Sequence, residues 1–256
     1  MPNGHGRRCC RQVLMLLKTP SFSFGKFRIE TNFNSAFFEA VAPRIQKGEQ
    51  KREYSEFSSR MAYVIPKPTR TDEPLPYLPQ DIVLPKTNET IVLDYYKDSD
   101  FEDLYAIFKD AVDEGQTYPQ ETMDKDHFEK YYLSHDVFVA RNPSDQKVIG
   151  SFYVKPNFPG RSSHICNAGF LVNKSFRNKG IGEVLFRKYL PIARDLGYEG
   201  SFFNLVYATN KASVKLCRKL GFTEIGTVPK AGKMKELGYV DALQFYYDLT
   251  TLKETM

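Results

Sequence analysis

The sequence predicts an α+β fold, a mixed β-sheet with helices packed on its faces. Segments with strand and helix patterns alternate from residue 90 towards the carboxyl end, the order expected of one sheet covered by helices. Hydrophobic residues make up 41% and charged residues 26% of the 256-residue chain, a composition that supplies a sizeable core. The length fits one domain with an appendage or two small domains.

The first half of this region is predicted to contain three strands and two helices. Thr90–Tyr96 has the composition of a strand, and Asp100–Ala111 places apolar residues at helical spacing. A second helix is predicted at Asp124–Leu133. Two further strands are predicted at Val137–Arg141 and Lys147–Lys155, because a turn-forming Asn-Pro-Ser-Asp sequence separates them.

The second half continues the alternation of strands and helices and closes on two strands. Pro191 lies within the first helix, and we expect it to kink or end that helix, because proline lacks the backbone donor. Gly221 follows the second helix at the position of a carboxyl-terminal cap. The predicted elements are a strand at His164–Val172, a helix from near Gly180, a strand at Ser201–Tyr207, a helix at Lys211–Leu220 and strands near Thr223–Val228 and Val240–Tyr247.

Upstream of residue 88 the sequence predicts an extension of the domain. Six of the fifteen prolines lie between Pro66 and Pro85, so this stretch is expected to form an extended linker or an edge segment. Residues 30–65 show weak periodicity, with one helix expected around Ser35–Val41. The predicted organisation is a basic head at 1–29, an extension with a proline-rich linker at 30–87 and the α+β domain at 88–256.

The positive charge of the chain is concentrated in its first 29 residues. The formal net charge is +5, and the head holds six basic residues and no acidic residue. Without the head, 30 basic residues stand against 31 acidic residues, so no nucleic-acid partner is expected. The composition of the head is typical of a mitochondrial presequence, and a disordered terminus is the alternative.

Apolar runs and cysteines exclude further classes of protein. The longest apolar run, Val13–Leu17, is far shorter than the roughly 18–20 residues that a membrane-spanning helix requires, so no membrane partner is expected. The four cysteines, Cys9, Cys10, Cys166 and Cys217, match neither a disulfide framework nor a zinc spacing. We therefore expect an intracellular protein, mitochondrial or cytoplasmic, without a metal site.

A glycine-containing segment follows the predicted strand His164–Val172. Residues 177–182 have the sequence Arg-Asn-Lys-Gly-Ile-Gly and lead into a helix. The backbone N–H groups of such a turn and the positive end of the helix can hold a pyrophosphate, which the glycines allow to come close. The alternative is a glycine-rich turn without a ligand, since the segment matches neither a Walker loop nor the full dinucleotide-binding fingerprint.

A second segment lies about 30 residues further on. Asn210–Phe222 opens a helix after a strand and closes it with Gly-Phe. Together with residues 177–182, it resembles the GNAT superfamily of acetyl-CoA-dependent N-acetyltransferases, over residues 90–248. The resemblance implies the GNAT fold, in which helices cover both faces of a mixed sheet and two parallel strands splay apart to bind acetyl-CoA.

Three further segments resemble the fungal N-acetyltransferases that detoxify azetidine-2-carboxylate and related proline analogues. They are Gly115–Gln120, Ser163–Asn173 and Phe203–Asn210. This resemblance implies acetyl transfer to the amine of a small amino-acid-like molecule, by direct attack with stabilisation of the oxyanion by backbone N–H groups. A GNAT enzyme acting on a protein or peptide amine and a catalytically silent acyl-CoA-binding protein are the alternatives.

The resemblance also assigns residues to the site. Asn167 and Asn204 are expected to act in catalysis and substrate binding, although a network satisfied within the protein is the alternative for asparagines inside strands. Tyr118 is expected to line the acceptor pocket or to pack in the core. The residues expected to contact acetyl-CoA are Phe170, Leu171, Val172, Arg177, Asn178, Lys179, Gly180, Ile181, Gly182, Asn210 and Ser213.

Two departures from common GNAT sequences leave proton transfer open. No Glu lies between His164 and Val172, where many members carry a general base, and Cys217 stands where many carry an acidic tyrosine. Water held by the asparagines, or an acceptor that arrives neutral, is the expected route, with His164 as a lesser candidate. A homodimer formed through the phenylalanine-rich strands or residues 30–65 is one expectation for the assembly.

Overall fold

The computed structural model describes residues 73–252. The basic head and the helix predicted around Ser35–Val41 lie outside this range. The strands within it are β1 (Gln80–Val83), β2 (Thr90–Tyr95), β3 (Asp136–Arg141), β4 (Val148–Pro156), β5 (Ile165–Val172), β6 (Gly200–Tyr207), β7 (Thr223–Met234) and β8 (Gly238–Asp248). The α-helices are α1 (Phe101–Glu114), α2 (Lys125–Tyr132), α3 (Ile181–Asp195) and α4 (Lys211–Lys219).

The eight strands form one mixed sheet, which confirms the predicted α+β class. Their order is β1-β2-β3-β4-β5-β6-β8-β7, and all neighbours are antiparallel except β5 and β6. Each strand and helix predicted from residue 90 onward is present, and α1 and β7 extend furthest beyond their predicted ends. Helix α1 continues until Gly115, whose φ of 65° provides a left-handed cap, and β7 continues through an irregular register between Val228 and Gly232.

The proline-rich segment contributes the first strand of the sheet. Strand β1 pairs only with β2 among the described residues and therefore lies at an edge, where neighbouring prolines without N–H groups are tolerated. The expectation of an edge segment is thus confirmed for Gln80–Val83. The sheet begins upstream of residue 88, so the boundary predicted near residue 87 falls after the first strand.

Pro191 does not end the helix in which it lies. Helix α3 continues beyond it to Asp195, and the residues on either side, Leu190 and Ile192, are buried. Burial of this apolar face offsets the loss of one backbone hydrogen bond. The expectation that proline would terminate the helix is therefore wrong.

Helices cover both faces of the sheet and enclose two cores. Helices α1 and α2 pack on one face, where Phe108, Phe128 and Tyr132 are fully buried against residues of β3 and β4. Helices α3 and α4 pack on the other face, around Leu185 and Phe245. Burial of these large side chains supplies the main stabilisation of the fold.

The parallel strands β5 and β6 pair over only two residues. The registered pairs are Ile165 with Gly200 and Cys166 with Ser201, and beyond them the strands diverge. Tyr189 from α3 lies at this junction, with its hydroxyl 2.7 Å from Ser201 Oγ and 3.1 Å from Cys166 Sγ. All three side chains are buried, so these hydrogen bonds join α3 to both strands where the gap begins.

Replacing Tyr189 by Phe tests these hydrogen bonds. The buried Ser201 hydroxyl and Cys166 thiol lose their shared partner, so we expect the free energy of unfolding to fall by about 1–3 kcal/mol. Urea denaturation of the full chain measures this change. Tyr239 is 66% exposed, and the control variant Tyr239→Phe should stay within about 0.5 kcal/mol of the parent. Equal stability of the two variants would contradict the role of Tyr189.

Candidate active site

A cleft of about 750 Å³ lies over the gap between β5 and β6. Both strands, the loop after α1, the end of β4 and the start of α4 line it. Of the residues predicted from the sequence, the cleft brings together Tyr118, Asn167, Phe170, Leu171, Val172, Arg177, Asn204, Asn210 and Ser213. The predicted residues that do not line it are Asn178, Lys179, Gly180, Ile181 and Gly182.

One edge of β5 presents backbone groups to the gap. The N–H of Asn157 donates to the carbonyl of Ile165, the first residue of β5, at 2.8 Å, so odd-numbered residues of β5 pair with β4. Because the direction of bonding alternates along a strand, Ala168, Phe170 and Val172 direct their N–H groups towards the gap. Phe170 and Val172 are therefore the predicted backbone donors that a ligand in the gap can reach.

The loop before α3 holds its two basic side chains in ion pairs. Arg177 binds Glu114 through hydrogen bonds of 2.9 and 3.0 Å, and Lys179 binds Glu89 at the same two distances. Gly180, with a φ of 91°, makes the turn into the helix. Glu114 and Glu89 thus offset part of the positive charge that Arg177 and Lys179 were expected to offer a pyrophosphate. The amino-terminal end of α3 is a second source of positive potential for that group.

The other residues predicted in this loop occupy three different settings. Asn178 is exposed and has a φ of 67°. Ile181 is 1% exposed in the core, so only its backbone is available to a ligand. Gly182 lies in the first turn of α3, where an added Cβ would be 3.7 Å from Val172.

Helix α4 begins at the cleft, opposite the loop before α3. The side chain of Asn210 accepts a hydrogen bond of 3.2 Å from the N–H of Ser213, which confirms Asn210 as the helix cap. Both residues line the cleft. Its rim therefore includes the positive end of a helix, a setting that favours an anionic group.

The two strand asparagines are joined by a third asparagine that the sequence analysis did not identify. Asn157 Oδ1 accepts from Nδ2 of Asn167 at 3.2 Å and from Nδ2 of Asn204 at 3.3 Å. Asn167 Oδ1 accepts from the N–H of Ala168 at 2.8 Å. Asn167 is thus satisfied within the protein, whereas Asn204 keeps its Oδ1 free of partners among the described residues.

Tyr118 lines the cleft and also packs in the core. Its ring meets Phe108 edge-on at 4.8 Å, and its hydroxyl donates to the carbonyl of Phe170 at 3.3 Å. Burial raises the pKa of Tyr118 well above its usual value, which keeps the phenol protonated. Gly169 makes room for it, because an added Cβ would lie 2.5 Å from Tyr153 and 2.9 Å from the Tyr118 hydroxyl.

A lysine between two tyrosines forms the wall of the cleft beside Asn167. Lys155 Nζ lies 4.0 Å from the ring centroid of Tyr131 and 4.3 Å from that of Tyr153. It donates to the backbone carbonyl of Tyr131 at 3.1 Å. Burial lowers the pKa of Lys155 to about 8. The sequence analysis missed this group, because the alternation of Tyr153 and Lys155 along β4 shows that they share a face but not which residues of β5 lie opposite them.

Comparison with known proteins bears on this arrangement. The sequence matches the acetyltransferase (GNAT) family over residues 101–222. It is 38% identical over 163 residues to the N-acetyltransferase aca1 of Schizosaccharomyces pombe, an alignment that covers 57% of this chain and 78% of that protein. The chain belongs to the GNAT family of acetyltransferases. It is an acetyl-CoA-dependent N-acetyltransferase.

Solved structures agree with the GNAT fold predicted from the sequence. A GCN5-related N-acetyltransferase from Kribbella flavida matches with a TM-score of 0.58 and 29% identity, covering 62% of this chain and 97% of that chain. A GNAT superfamily phosphinothricin acetyltransferase from Sinorhizobium meliloti, in complex with AcCoA, matches with a TM-score of 0.56 and 20% identity, covering 64% and 93% of the two chains. The mixed sheet with helices on both faces is therefore the GNAT fold.

The cleft fits the acetyl-CoA that a GNAT enzyme uses. The gap edge of β5 offers N–H groups at Phe170 and Val172 that face the gap, and these suit the carbonyl groups of a pantetheine arm. Two helix ends, before α3 and at Asn210, suit its phosphates. When bound, acetyl-CoA supplies an activated acetyl group as a thioester.

Neither Cys217, at the position where many family members carry an acidic tyrosine, nor His164, the lesser candidate, has the setting that proton transfer requires. Cys217 lines the cleft but is 1% exposed, and burial raises its pKa to about 12. Such a thiol is too weak an acid to protonate a leaving thiolate efficiently. His164 is exposed before β5 and does not line the cleft.

Residues 73–252 contain no group of three or more His, Cys, Asp or Glu side chains that could hold a metal ion. In this range no helix is both long and apolar enough to cross a membrane.

Alkylation tests the state of Cys217. Since burial raises its pKa, we expect iodoacetamide at pH 8 to modify Cys217 at least about 100-fold more slowly than an exposed thiol. Peptide mass spectrometry of the folded full chain follows the reaction. The variant Ser144→Cys places a thiol in the exposed turn between β3 and β4 as the internal control. Equal rates at the two positions would contradict a buried, protonated Cys217.

Proposed function

We propose that this GNAT enzyme acetylates the amine of a small amino-acid-like molecule of the proline-analogue type. The observation that carries the proposal is the composition of the part of the cleft around Asn167 and Asn204, here called its acceptor end. The same part of the cleft is lined by Tyr118, Tyr131 and Tyr153. The only acidic side chain among the lining residues is Glu114, and Arg177 and Lys174 already pair with it. A cationic lysine side chain or polyamine would find no free carboxylate there, which disfavours peptide and polyamine acceptors.

The backbone of β5 is assigned the electrostatic part of the reaction. In the proposed reaction a C–N bond forms to the amine as the C–S bond of the thioester breaks, and negative charge develops on the carbonyl oxygen. The N–H groups of Phe170 and Val172 face the gap as preorganised donors to that oxygen. Stacking of Phe170 on Phe186, with centroids 4.4 Å apart, fixes the strand in this position.

The asparagines are assigned the positioning of the amine. The side-chain amides of asparagine do not take up or release protons near neutral pH. In the proposed reaction the proton lost by the amine therefore passes to water. The departing thiolate takes its proton from water as well. Asn204 Oδ1 is available to accept a hydrogen bond from the amine or from that water. Asn157 holds Asn204 and Asn167 in a fixed orientation through its single oxygen.

A panel of acceptors tests the proposed substrate class. The full chain is incubated with acetyl-CoA and azetidine-2-carboxylate, 4-hydroxyproline, a polyamine or a lysine-containing peptide, and thiol release is measured. We expect turnover with the two small imino acids and at least about tenfold lower kcat/KM with the others, equivalent to about 1.4 kcal/mol. Release with peptides alone would contradict the proposal. Absence of release with all four acceptors would likewise contradict the proposed substrate class.

Replacing Asn157 by Ala tests the asparagine network. Both amides lose their shared acceptor, and at about 1 kcal/mol for each hydrogen bond we expect kcat/KM for azetidine-2-carboxylate to fall about tenfold or more. The KM for acetyl-CoA should change little, because the network lies on the acceptor side. Asn142→Ala, in the turn at the far end of β4, is the control. Unchanged acceptor kinetics in Asn157→Ala would remove the network from the site.

A further inference from the structure

Lys155 is a cation in a part of the cleft that otherwise holds neutral groups. It lies near the end of β4, directly opposite Asn167 of β5 in the strand register. Residues opposite one another in an antiparallel pair point to the same face of the sheet, so Lys155 and Asn167 share the face covered by α1 and α2. Both line the cleft.

The ammonium group of Lys155 has no carboxylate partner among residues 73–252. Its one hydrogen-bond acceptor there is the backbone carbonyl of Tyr131, at 3.1 Å. The rings of Tyr131 and Tyr153, at 4.0 and 4.3 Å, stabilise its charged form. By contrast, lysines that do contact a carboxylate, such as Lys179, lie at the surface of the protein. Lys155 is partly buried, charged and incompletely satisfied.

This setting favours an anion as the missing partner. An ammonium has three donors, and within residues 73–252 one of them is engaged, by the carbonyl of Tyr131. Burial costs the charged form, which is why the pKa falls to about 8, and a carboxylate beside it would restore the charge. Glu114, the one acidic residue among the described lining residues of the cleft, is already held by Arg177 and Lys174.

We infer that Lys155 binds the carboxylate of the acceptor and thereby selects α-amino and α-imino acids over amines that lack a carboxylate. The inference rests on the proposed function and adds its specificity-determining residue. An α-amino acid carries its carboxylate and amine on one carbon. A carboxylate held at Lys155 therefore brings the amine beside Asn167, next to the strand gap.

The same arrangement explains how the enzyme rejects cationic acceptors. A polyamine or a lysine side chain would place a second ammonium near Lys155 without a carboxylate to separate them. The two tyrosine rings also restrict the width of this end of the cleft. Lys155 thus attracts the carboxylate of an amino acid and repels the extra ammonium group of a polyamine or lysine side chain.

Charge-neutral and charge-preserving variants of the full chain test the inference. Lys155→Met removes the ammonium and keeps an unbranched side chain, Lys155→Arg keeps the charge, and Lys147→Met removes an exposed lysine before β4 as the control. Each variant is assayed with azetidine-2-carboxylate and with azetidine, which has the same ring and amine but no carboxylate. Calorimetric binding of azetidine-2-carboxylate in the presence of coenzyme A provides a readout independent of turnover.

We expect Lys155→Met to raise the KM and Kd for azetidine-2-carboxylate about 30-fold or more, and to leave kcat/KM for azetidine and the KM for acetyl-CoA within about threefold. Lys155→Arg should retain part of the preference for the carboxylate, and Lys147→Met should match the parent.

Two results would overturn the inference. An unchanged preference for the carboxylate-bearing ring in Lys155→Met would show that another group binds the carboxylate. An equal fall in kcat for both rings would place Lys155 in proton transfer. Failure of the proposed function is a separate result, because it would appear as absence of turnover in the parent enzyme with either ring, while the binding measurement still reports on Lys155.

Discussion

The hydrogen-bonded pairing of the parallel strands β5 and β6 ends after two residue pairs. The cleft exists because the strands separate beyond that point. A continued ladder would satisfy the backbone groups of β5 and leave no room between the strands. Where it stops, the N–H groups of Phe170 and Val172 stay available, and a ligand can meet their hydrogen-bonding requirement. The buried cluster of Tyr189, Cys166 and Ser201 fixes the point of divergence.

Packing on the α3 side keeps the strands apart. Phe170 stacks on Phe186, which meets Phe203 edge-on at 5.5 Å, and Phe203 stacks on Phe222 at 5.0 Å. These rings fill the space behind the gap with rigid apolar volume. On the opposite side, Asn157 joins Asn167 and Asn204 across the gap. The opening is thus held from both faces of the sheet, and charge is sparse at its acceptor end, where Lys155 stands without a carboxylate partner in the described chain.

Much of the fold was predictable from local patterns, and part of the site was not. Strand and helix periodicity located the elements from residue 90 onward, and Asn210 and Gly180 marked the starts of two helices. Strand β1 was predicted only as one of two alternatives, a linker or an edge segment, because prolines surround it and edge pairing leaves little local signal. Asn157 and Lys155 were missed because their roles arise from the register of β4 on β5, which sequence spacing does not reveal. The pairing of Arg177 with Glu114 likewise joins residues 63 apart in the chain.

A crystal structure of the full chain with coenzyme A tests the central claim most directly. We expect the pantetheine arm to lie between β5 and β6, with hydrogen bonds to the backbone of Ala168, Phe170 or Val172, and the strands to diverge beyond Cys166 and Ser201. A pantetheine arm bound elsewhere, or a ladder between β5 and β6 continued through these residues, would contradict the account.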